Sequence, residues 1–306
     1  MPNPAPISTA AAPAAAPAAA GRMQRAEGRA RVTLAAGTAG RMRLGTLSQA
    51  GSAKAFLPKV HGPVPEVVFL NTAGGLTGGD RLAYALDLGA GARAVATTQT
   101  AERAYAAGSD AARSESGRAD GAARAVMEVR LTLGTGAALD WLPQETILYE
   151  GAGLTRVTRA DMAPGARLLM AEALVLGRQA MGETVARLRL SDRREVWRGG
   201  VPQFIDPFAL TDAALDRPGA GPRFALLGGA RALATVAFLA DGAEAAAGPL
   251  RAALSGLEGA EAAVSGWDGR CLVRLRAPDG LGLRRALALV LGRLRDGAAL
   301  PRVWQM

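Results

Sequence analysis

A glycine-rich segment is the first candidate for chemistry in this sequence. It reads Asn-Thr-Ala-Gly-Gly-Leu-Thr-Gly-Gly-Asp over residues 71–80 and directly follows an apolar run at 67–70. Its glycines are Gly74, Gly75, Gly78 and Gly79. They would let the backbone bend tightly and present N–H groups to an anion. The segment is not a Walker A loop, because Asp80 stands where that pattern has lysine and a carboxylate repels phosphate. An elaborate turn between two strands explains the pattern equally well.

Two polar segments are further candidates. One, at 97–105, contains Glu102 beside Arg103, and the other, at 141–149, has Gln and Glu after a proline. Glu102 or Asp80 could serve as the general base of a small-molecule enzyme. The alternatives are a solvated strand edge, where an exposed Glu102–Arg103 pair contributes little, and a strand corner that presents polar groups.

The scarcity of histidine and cysteine excludes several kinds of site. The chain has one histidine, His61, and one cysteine, Cys271. A Ser-His-Asp or Cys-His hydrolase would have to use His61, and the sequence contains no G-x-S-x-G nucleophile elbow. One histidine and one cysteine cannot supply the four ligands of a tight zinc site. A lone cysteine forms no internal disulfide, which fits a reducing compartment such as the cytoplasm, and we expect Cys271 to be a buried strand residue.

The elements that must position these residues are mainly strands. Short segments with period-two alternation, each ended by glycine, predict a mainly β fold with a few helices. The clearest predicted strands are 64–70, 82–88, 94–100, 125–133, 183–190 and 271–276. A weak repeat at 86–92, 131–137 and 160–166 predicts a strand end, a tight glycine turn and a new strand, as in a stacked-layer β architecture. Two helices are predicted late in the chain, at 243–257 and 283–295.

Length and charge bound the remaining possibilities. The 306 residues predict a single domain over 25–306 after a disordered Ala/Pro-rich tail at 1–24. No membrane span is predicted, because Arg231 interrupts the most apolar window. The net charge of +9 comes from basic residues spread along the chain without a run of five. An acidic protein partner therefore fits this charge better than nucleic acid, and an RNA-binding module ranks behind an enzyme among the alternatives.

Several motifs in a fixed order resemble the UreD family of urease accessory proteins, also called UreH. They are Gly-Gly-Leu-Thr-Gly-Gly-Asp at 74–80, Thr-Gln-Thr-Ala-Glu-Arg at 98–103, Trp-Leu-Pro-Gln-Glu at 141–145, Leu-Gly-Arg at 176–178, Met-Gly-Glu at 181–183 and Pro-Arg-Val-Trp at 301–304. The resemblance covers about residues 25–306. It implies a mainly β fold with strands in stacked layers of helical type. It also implies a cytoplasmic, non-enzymatic maturation factor that binds apo-urease, contacts UreF directly and the GTPase UreG through UreF, and helps place nickel in the urease active site.

The resemblance further implies a transient, water-filled route for Ni²⁺ through the protein, with no tightly bound cofactor. By their positions relative to the motifs, its candidate residues are Asp80, Glu102, Glu172 and Asp206. Glu172 lies in an apolar segment, where an unpaired carboxylate is costly unless it is hydrated or paired. A salt bridge to Arg178 or another arginine is the alternative. With a single histidine in the chain, such a route would depend on carboxylates, backbone carbonyls and water.

Overall fold

The computed structural model describes residues 25–59, 62, 64–106, 124–215 and 226–304. The predicted tail at 1–24 and His61 lie outside the described residues. The described strands are β1 (Glu27–Ala36), β2 (Met42–Gly51), β3 (Ala53–Phe56), β4 (Glu66–Asn71), β5 (Arg81–Leu88), β6 (Arg93–Thr98), β7 (Glu102–Ala104), β8 (Ala125–Leu133), β9 (Ala138–Trp141), β10 (Thr146–Leu148), β11 (Ala152–Met162), β12 (Arg167–Leu176), β13 (Leu188–Arg198), β14 (Val201–Thr211), β15 (Ala232–Leu239), β16 (Glu261–Trp267) and β17 (Arg270–Ala277). The described α-helices are α1 (Ala247–Leu254) and α2 (Gly280–Leu294). The mainly β prediction with two late helices is confirmed.

The strands form two sheets that the chain visits in alternation. The first sheet has the order β14-β13-β11-β8-β5-β1-β2, and the second has the order β16-β17-β15-β12-β9-β6-β4-β3, with β7 and β10 paired beside β12. Successive strands of each sheet are parallel along β1-β5-β8-β11-β13 and along β4-β6-β9-β12. Each circuit of the chain therefore stacks on the previous one, which is the helical type of β architecture that the resemblance implied.

Three glycine turns stack at one end of these circuits, where the sequence repeat predicts them. Gly91, Gly136 and Gly165 have φ values of 66°, 64° and 67°, in the left-handed region that glycine occupies without a Cβ clash. The N–H of Gly91 donates to the carbonyl of Thr135 (2.8 Å), and the N–H of Gly136 donates to that of Pro164 (3.1 Å). Hydrogen bonds between turns thus continue the parallel pairing of the strands beyond the sheets.

Two apolar cores follow from this arrangement. One lies between the sheets, and the other lies between the outer face of the second sheet and the helices. Helix α2 begins after Asp279, whose carboxylate accepts the N–H of Gly282 (2.7 Å) and caps the helix. Its buried residues are Leu283, Ala286, Leu287, Val290, Leu291 and Leu294, as the helical spacing predicts. Cys271 is buried on β17, as predicted. No helix within the described ranges is long and apolar enough to cross a lipid bilayer.

The predicted strand at 183–190 is wrong for its first five residues, because β13 begins at Leu188. Carboxylate side chains accept backbone N–H groups in this segment and in the loop beside it. The segment therefore does not need hydrogen bonds to a neighbouring strand. Glu183 accepts the N–H of Glu150 (3.2 Å), and Glu150 in turn accepts the N–H of Ala186 (2.7 Å). Side-chain hydrogen bonds of this kind compete with strand pairing.

Candidate functional site

Charged residues occupy inward positions in the otherwise apolar space between the two sheets. On β12, Glu172 shares the inward face with apolar residues two positions away on either side. Arg156 and Thr158 hold equivalent positions on β11, and Asp192 and Arg194 hold them on β13. Because side chains two apart on a strand point to the same face, these strands direct five polar residues toward one region of the interior.

Glu172 is surrounded by donors. It is only 2% exposed. One carboxylate oxygen, Oε1, accepts from the hydroxyl of Thr158 (2.6 Å) and from the indole N–H of Trp141 (3.3 Å). The other, Oε2, accepts from Nε of Arg194 (3.1 Å) and lies 3.3 Å from Nη2 of Arg156. Two guanidinium groups and two neutral donors therefore offset the cost of burying this carboxylate.

Arg156 forms a bidentate ion pair with Asp192. Its Nε and Nη2 donate to the two carboxylate oxygens of Asp192 at 2.8 and 2.7 Å, and its Nη1 donates to the hydroxyl of Thr146 (3.1 Å). Burial alone would lower the pKa of Arg156, but the charges of Asp192 and Glu172 raise it above its usual value. Burial alone would raise the pKa of Asp192, but Arg156 and Arg194 hold it below its usual range. Arg156 and Asp192 are consequently both charged near neutral pH.

Arg194 connects this pair to the protein surface. Its Nη1 donates to Asp206 (2.6 Å) and to the hydroxyl of Thr235 (3.2 Å), and its Nη2 donates to Asp192. Asp206 also accepts from Nη2 of Arg274 (2.7 Å), whose side chain is 54% exposed. Five of the buried charged residues are joined to one another by ion pairs in this region, and we call them the interior charge cluster: Arg156, Glu172, Asp192, Arg194 and Asp206. Its three carboxylates face two buried guanidinium groups, so the half-exposed Arg274 supplies the third positive charge.

An open cavity of about 310 Å³ reaches the interior charge cluster from the surface. Glu172, Arg194 and Thr235 line it together with apolar side chains that include Leu174 and Phe208. Arg274, Glu261 and Arg276 also line it. The volume is large enough for several water molecules. A polar group from solvent can therefore approach a carboxylate that is otherwise enclosed by protein.

Glu102 occupies a second polar pocket, near the glycine-rich segment. The amide of Asn71 donates to it (3.2 Å), as does the backbone N–H of Arg103 (3.1 Å). Burial raises the pKa of Glu102 to about 7, although these hydrogen bonds and the charge of Arg103 oppose the shift. Burial and the charge of Glu102 also raise the pKa of Tyr84. A cavity of about 30 Å³ lies beside Glu102, with room for a single water molecule.

The two polar regions are neighbours across paired strands. Glu102 on β7 pairs in register with Thr146 on β10, and the hydroxyl of Thr146 accepts from Arg156. Paired residues on adjacent strands are about 5 Å apart and share a face. A series of polar side chains thus crosses the interior, linked by hydrogen bonds and ion pairs from Thr146 onward and by strand register between Glu102 and Thr146, and we call it the polar line. Its members are Glu102, Thr146, Arg156, Glu172, Arg194 and Asp206.

Asp80, in contrast, is bound to the backbone. Its Oδ1 accepts the N–H of Ala26 and its Oδ2 accepts the N–H of Thr77, both at 2.8 Å. The side chain is buried and joins the glycine-rich segment to the residue before β1. Both carboxylate oxygens thus have a structural role.

The glycines of this segment form a tight turn. Gly74, Gly75 and Gly79 have φ values of 76°, 151° and 91°, and Gly78 is buried. A Cβ atom on Gly75 would lie 2.3 Å from the ring of Tyr105. The interpretation as an elaborate turn therefore accounts for the glycine spacing without a bound anion.

We expect Asp80→Ala to destabilise the protein. Each hydrogen bond from a backbone N–H to a carboxylate contributes about 1.5–3 kcal/mol, so the loss of two should lower the free energy of unfolding by about 3–6 kcal/mol. Asp87→Ala is the matched control, because Asp87 pairs with the exposed Arg31 and should contribute less than about 1 kcal/mol. Urea unfolding measures both variants, and similar losses would contradict the structural role of Asp80.

Glu102→Gln should change stability in a pH-dependent manner. A carboxyl whose pKa is raised from 4.5 to about 7 carries no penalty below pH 4.5 and an increasing one as the pH rises through 7. The variant should therefore match the wild type at pH 4.5 and exceed its free energy of unfolding at pH 8 by about 1–3 kcal/mol. Urea unfolding at the two pH values tests this, and a difference independent of pH would contradict the raised pKa.

The structure brings together two of the four residues that the sequence suggested. Glu172 and Asp206 share the guanidinium of Arg194, Glu102 lies at the other end of the polar line, and Asp80 is not part of it. Glu172 forms salt bridges with Arg156 and Arg194, so the alternative of a salt bridge is confirmed with arginines other than Arg178. Sequence reasoning missed Arg156, Asp192 and Arg194, whose signal is a charge on the apolar face of an alternating strand. Within the described ranges, no group of three or more His, Cys, Asp or Glu side chains could hold a metal ion.

Comparison with known proteins shows the family. The family described as UreD urease accessory protein matches residues 26–305. The chain belongs to the UreD family. It is 56% identical over 285 residues to the urease accessory protein UreD of Cereibacter sphaeroides, covering 92% of this chain and 96% of the relative. Identity to the UreD proteins of Dinoroseobacter shibae and Rhizobium leguminosarum is 52% and 41%, with 93% of this chain covered in each case and 94% and 97% of the relatives. As a UreD protein, the chain is an accessory factor with a role in urease maturation.

Proposed function

We propose that this UreD protein is a cytoplasmic scaffold that binds apo-urease and assists nickel insertion into its active site. In this proposal UreF binds the chain directly, and UreG joins through UreF. Ni²⁺ is cargo, held only transiently, and it crosses the interior along the polar line. The observation that carries the proposal is the interior charge cluster, which lines a surface cavity and is joined by Thr146 to the strand that pairs with Glu102.

The chemistry of the polar line suits passage of a divalent cation. Its carboxylates are oxygen ligands, which bind first-row divalent ions less tightly than imidazole or thiolate. Glu172, Asp206 and Glu102 would thus serve as successive weak contacts for a hydrated ion. The hydroxyls of Thr146, Thr158 and Thr235 lie along the same series and add neutral oxygen ligands.

The charge balance of the interior charge cluster explains how a cation could enter it. Asp206 binds two guanidinium groups, one from the buried Arg194 and one from the half-exposed Arg274. When Arg274 swings into solvent, the buried groups carry one net negative charge, which attracts a cation in a medium of low dielectric constant. The cation then exchanges for guanidinium contacts at Asp206 and Glu172, and the arginines re-form those contacts when it leaves.

The geometry beside Glu102 disfavours the alternative of a small-molecule enzyme. A pKa near 7 suits a general base. However, the adjacent cavity of about 30 Å³ admits one water molecule rather than a substrate, and Asp80 is bound to backbone N–H groups. The raised pKa of Glu102 is therefore better explained by its burial at the end of the polar line.

Co-purification tests the scaffold proposal. The tagged chain is co-expressed with urease subunits, UreF and UreG, and the complexes are compared with those formed when UreF is omitted. We expect the urease subunits and UreF to be recovered with the chain, and UreG to be recovered only when UreF is present. Recovery of UreG without UreF would overturn the order of contacts, and failure to recover urease subunits from the full set would overturn the scaffold role.

A further inference from the structure

A second, larger cavity lies on the opposite face of the second sheet. It has a volume of about 820 Å³ and lies between the turn end of that sheet and the segment that follows α2. Five basic and three acidic residues line it: Lys59, Arg93, Arg167, Arg295 and Arg302, and Glu66, Asp140 and Asp296. We call this cavity the basic groove. Its position and charge are unrelated to the polar line.

The floor of the basic groove is a carboxylate held between two arginines. Asp140 accepts from Nη1 of Arg167 (2.7 Å) with one oxygen and from Nε of Arg295 (2.8 Å) with the other. The arginine side chains are 31% and 6% exposed. Their remaining contacts are backbone carbonyls, such as that of Leu294, and the ring of Phe238 beside Arg167, none of which carries a formal charge. The floor therefore has one surplus positive charge in a partly desolvated site, where an anion is most favourable.

The sides of the groove add three cations that form no ion pair with Glu66 or Asp296, the other acidic residues that line it. Arg93, Arg302 and Lys59 are exposed, and none forms an ion pair with another residue of the described part of the chain. Arg93 on β6 and Arg167 on β12 both pair in register with Ala138 of β9, so they share a face two strand spacings apart. Two spacings are about 10 Å, close to the rise of one three-residue turn of a polyproline II helix (about 9 Å), which brings every third side chain to the same side.

We propose that the basic groove binds an acidic peptide segment of a partner protein in a polyproline II conformation, with carboxylates three residues apart. The volume is too large for a single carboxylate or phosphate and matches several residues of extended chain. Arg93 and Arg167 would each take one carboxylate, and Arg302 would bind a third from the opposite wall. This inference goes beyond the proposed function and does not depend on nickel transfer.

Fluorescence anisotropy on the isolated full chain tests the proposal. The probe is a fluorescein-labelled ten-residue peptide of Gly and Ser with Glu at positions 1, 4 and 7, and the reference probe has Gln at those positions. We expect the Glu probe alone to bind, with an affinity that falls at least about tenfold when NaCl is raised from about 25 to about 300 mM. The double variant Arg93→Gln/Arg302→Gln should weaken binding about tenfold or more.

Two further variants distinguish binding in the basic groove from non-specific attraction of the peptide to a positively charged protein. Arg81→Gln removes an equally exposed cation at the start of β5, about 20 Å along that strand from the turn before Arg93, and should leave binding unchanged. Arg93→Lys/Arg302→Lys keeps both charges and should retain most of the affinity. Equal losses in the Arg81 variant and the Gln double variant would overturn the proposal. It would also be overturned if tripolyphosphate bound the groove and the Glu peptide did not.

Discussion

Replacement of Arg194 by methionine is expected to lower the free energy of unfolding by about 3–5 kcal/mol, because removing one partner of a buried ion pair leaves uncompensated charge. Arg194 donates to three carboxylates, those of Glu172, Asp192 and Asp206. Methionine keeps much of the side-chain volume, so the loss in free energy of unfolding is caused by removal of the charge rather than by a new cavity. Urea unfolding at pH 7 measures the effect.

At acid pH the difference in free energy of unfolding between Arg194→Met and the wild type should become smaller. Arginine neighbours hold the pKa of Asp192 below its ordinary value of 3.8. The stability that this shift contributes is present above that value and is lost as the pH falls through the lower, folded-state pKa. Without Arg194 the pKa of Asp192 is lowered less, so the variant should lose less stability than the wild type as the pH falls from about 4 to about 2. Arg130→Met is the control, because Arg130 forms an exposed pair with Glu128 and should cost less than about 1 kcal/mol. Losses of equal size in the two variants would contradict the account of the interior charge cluster.

Glu172→Gln should reduce nickel-dependent urease activation in cells about tenfold or more. The substitution removes a negative charge with little change in volume, and a charge about 4 Å from a cation contributes about 4 kcal/mol at an effective dielectric constant of 20. The amide oxygen of Gln remains a weak ligand, so some nickel-dependent activation should be retained. Urease activity and nickel content of the enzyme, measured after co-expression with the variant, give the size of the loss.

Stability and complex formation must be measured on the same variant. Arg156 keeps its bidentate pair with Asp192 when Glu172 becomes Gln, so the chain should still fold and co-purify with urease subunits. Glu128→Gln is the matched control on an exposed face of β8 and should leave activation unchanged. Normal nickel loading with Glu172→Gln would exclude a route past this residue, whereas a variant that fails to co-purify would assign Glu172 a structural role.

The sequence predicted the elements whose pattern is local. Strand β8 follows its alternation from Ala125 to Leu133, and α2 buries the predicted face. The repeat also located the stacked turns, since Gly91, Gly136 and Gly165 have the positive φ that a tight turn requires. These features depend on residues within one turn or one strand, so a single sequence is sufficient to predict them.

The contacts of the candidate site could not be predicted, because they join distant strands. Arg156 and Asp192 are 36 positions apart, and Asp206 and Arg274 are 68 apart. Their pairing follows from strand order and register, which alternation does not specify. Asp80 illustrates the same limit, since its hydrogen bond to the N–H of Ala26 spans 54 positions and gives a structural role to a residue that the motif suggested for metal passage.

We propose that this chain assists nickel insertion into urease, and one comparison tests this directly. Urease is purified from cells with and without the chain, in the presence of UreF and UreG, and its nickel content is measured. The two cultures receive the same nickel supply, and the same amount of urease protein is analysed from each. We expect nickel-loaded, active urease when the chain is present and largely nickel-free, inactive urease when it is absent. Equal nickel content and equal activity in the two preparations would contradict it.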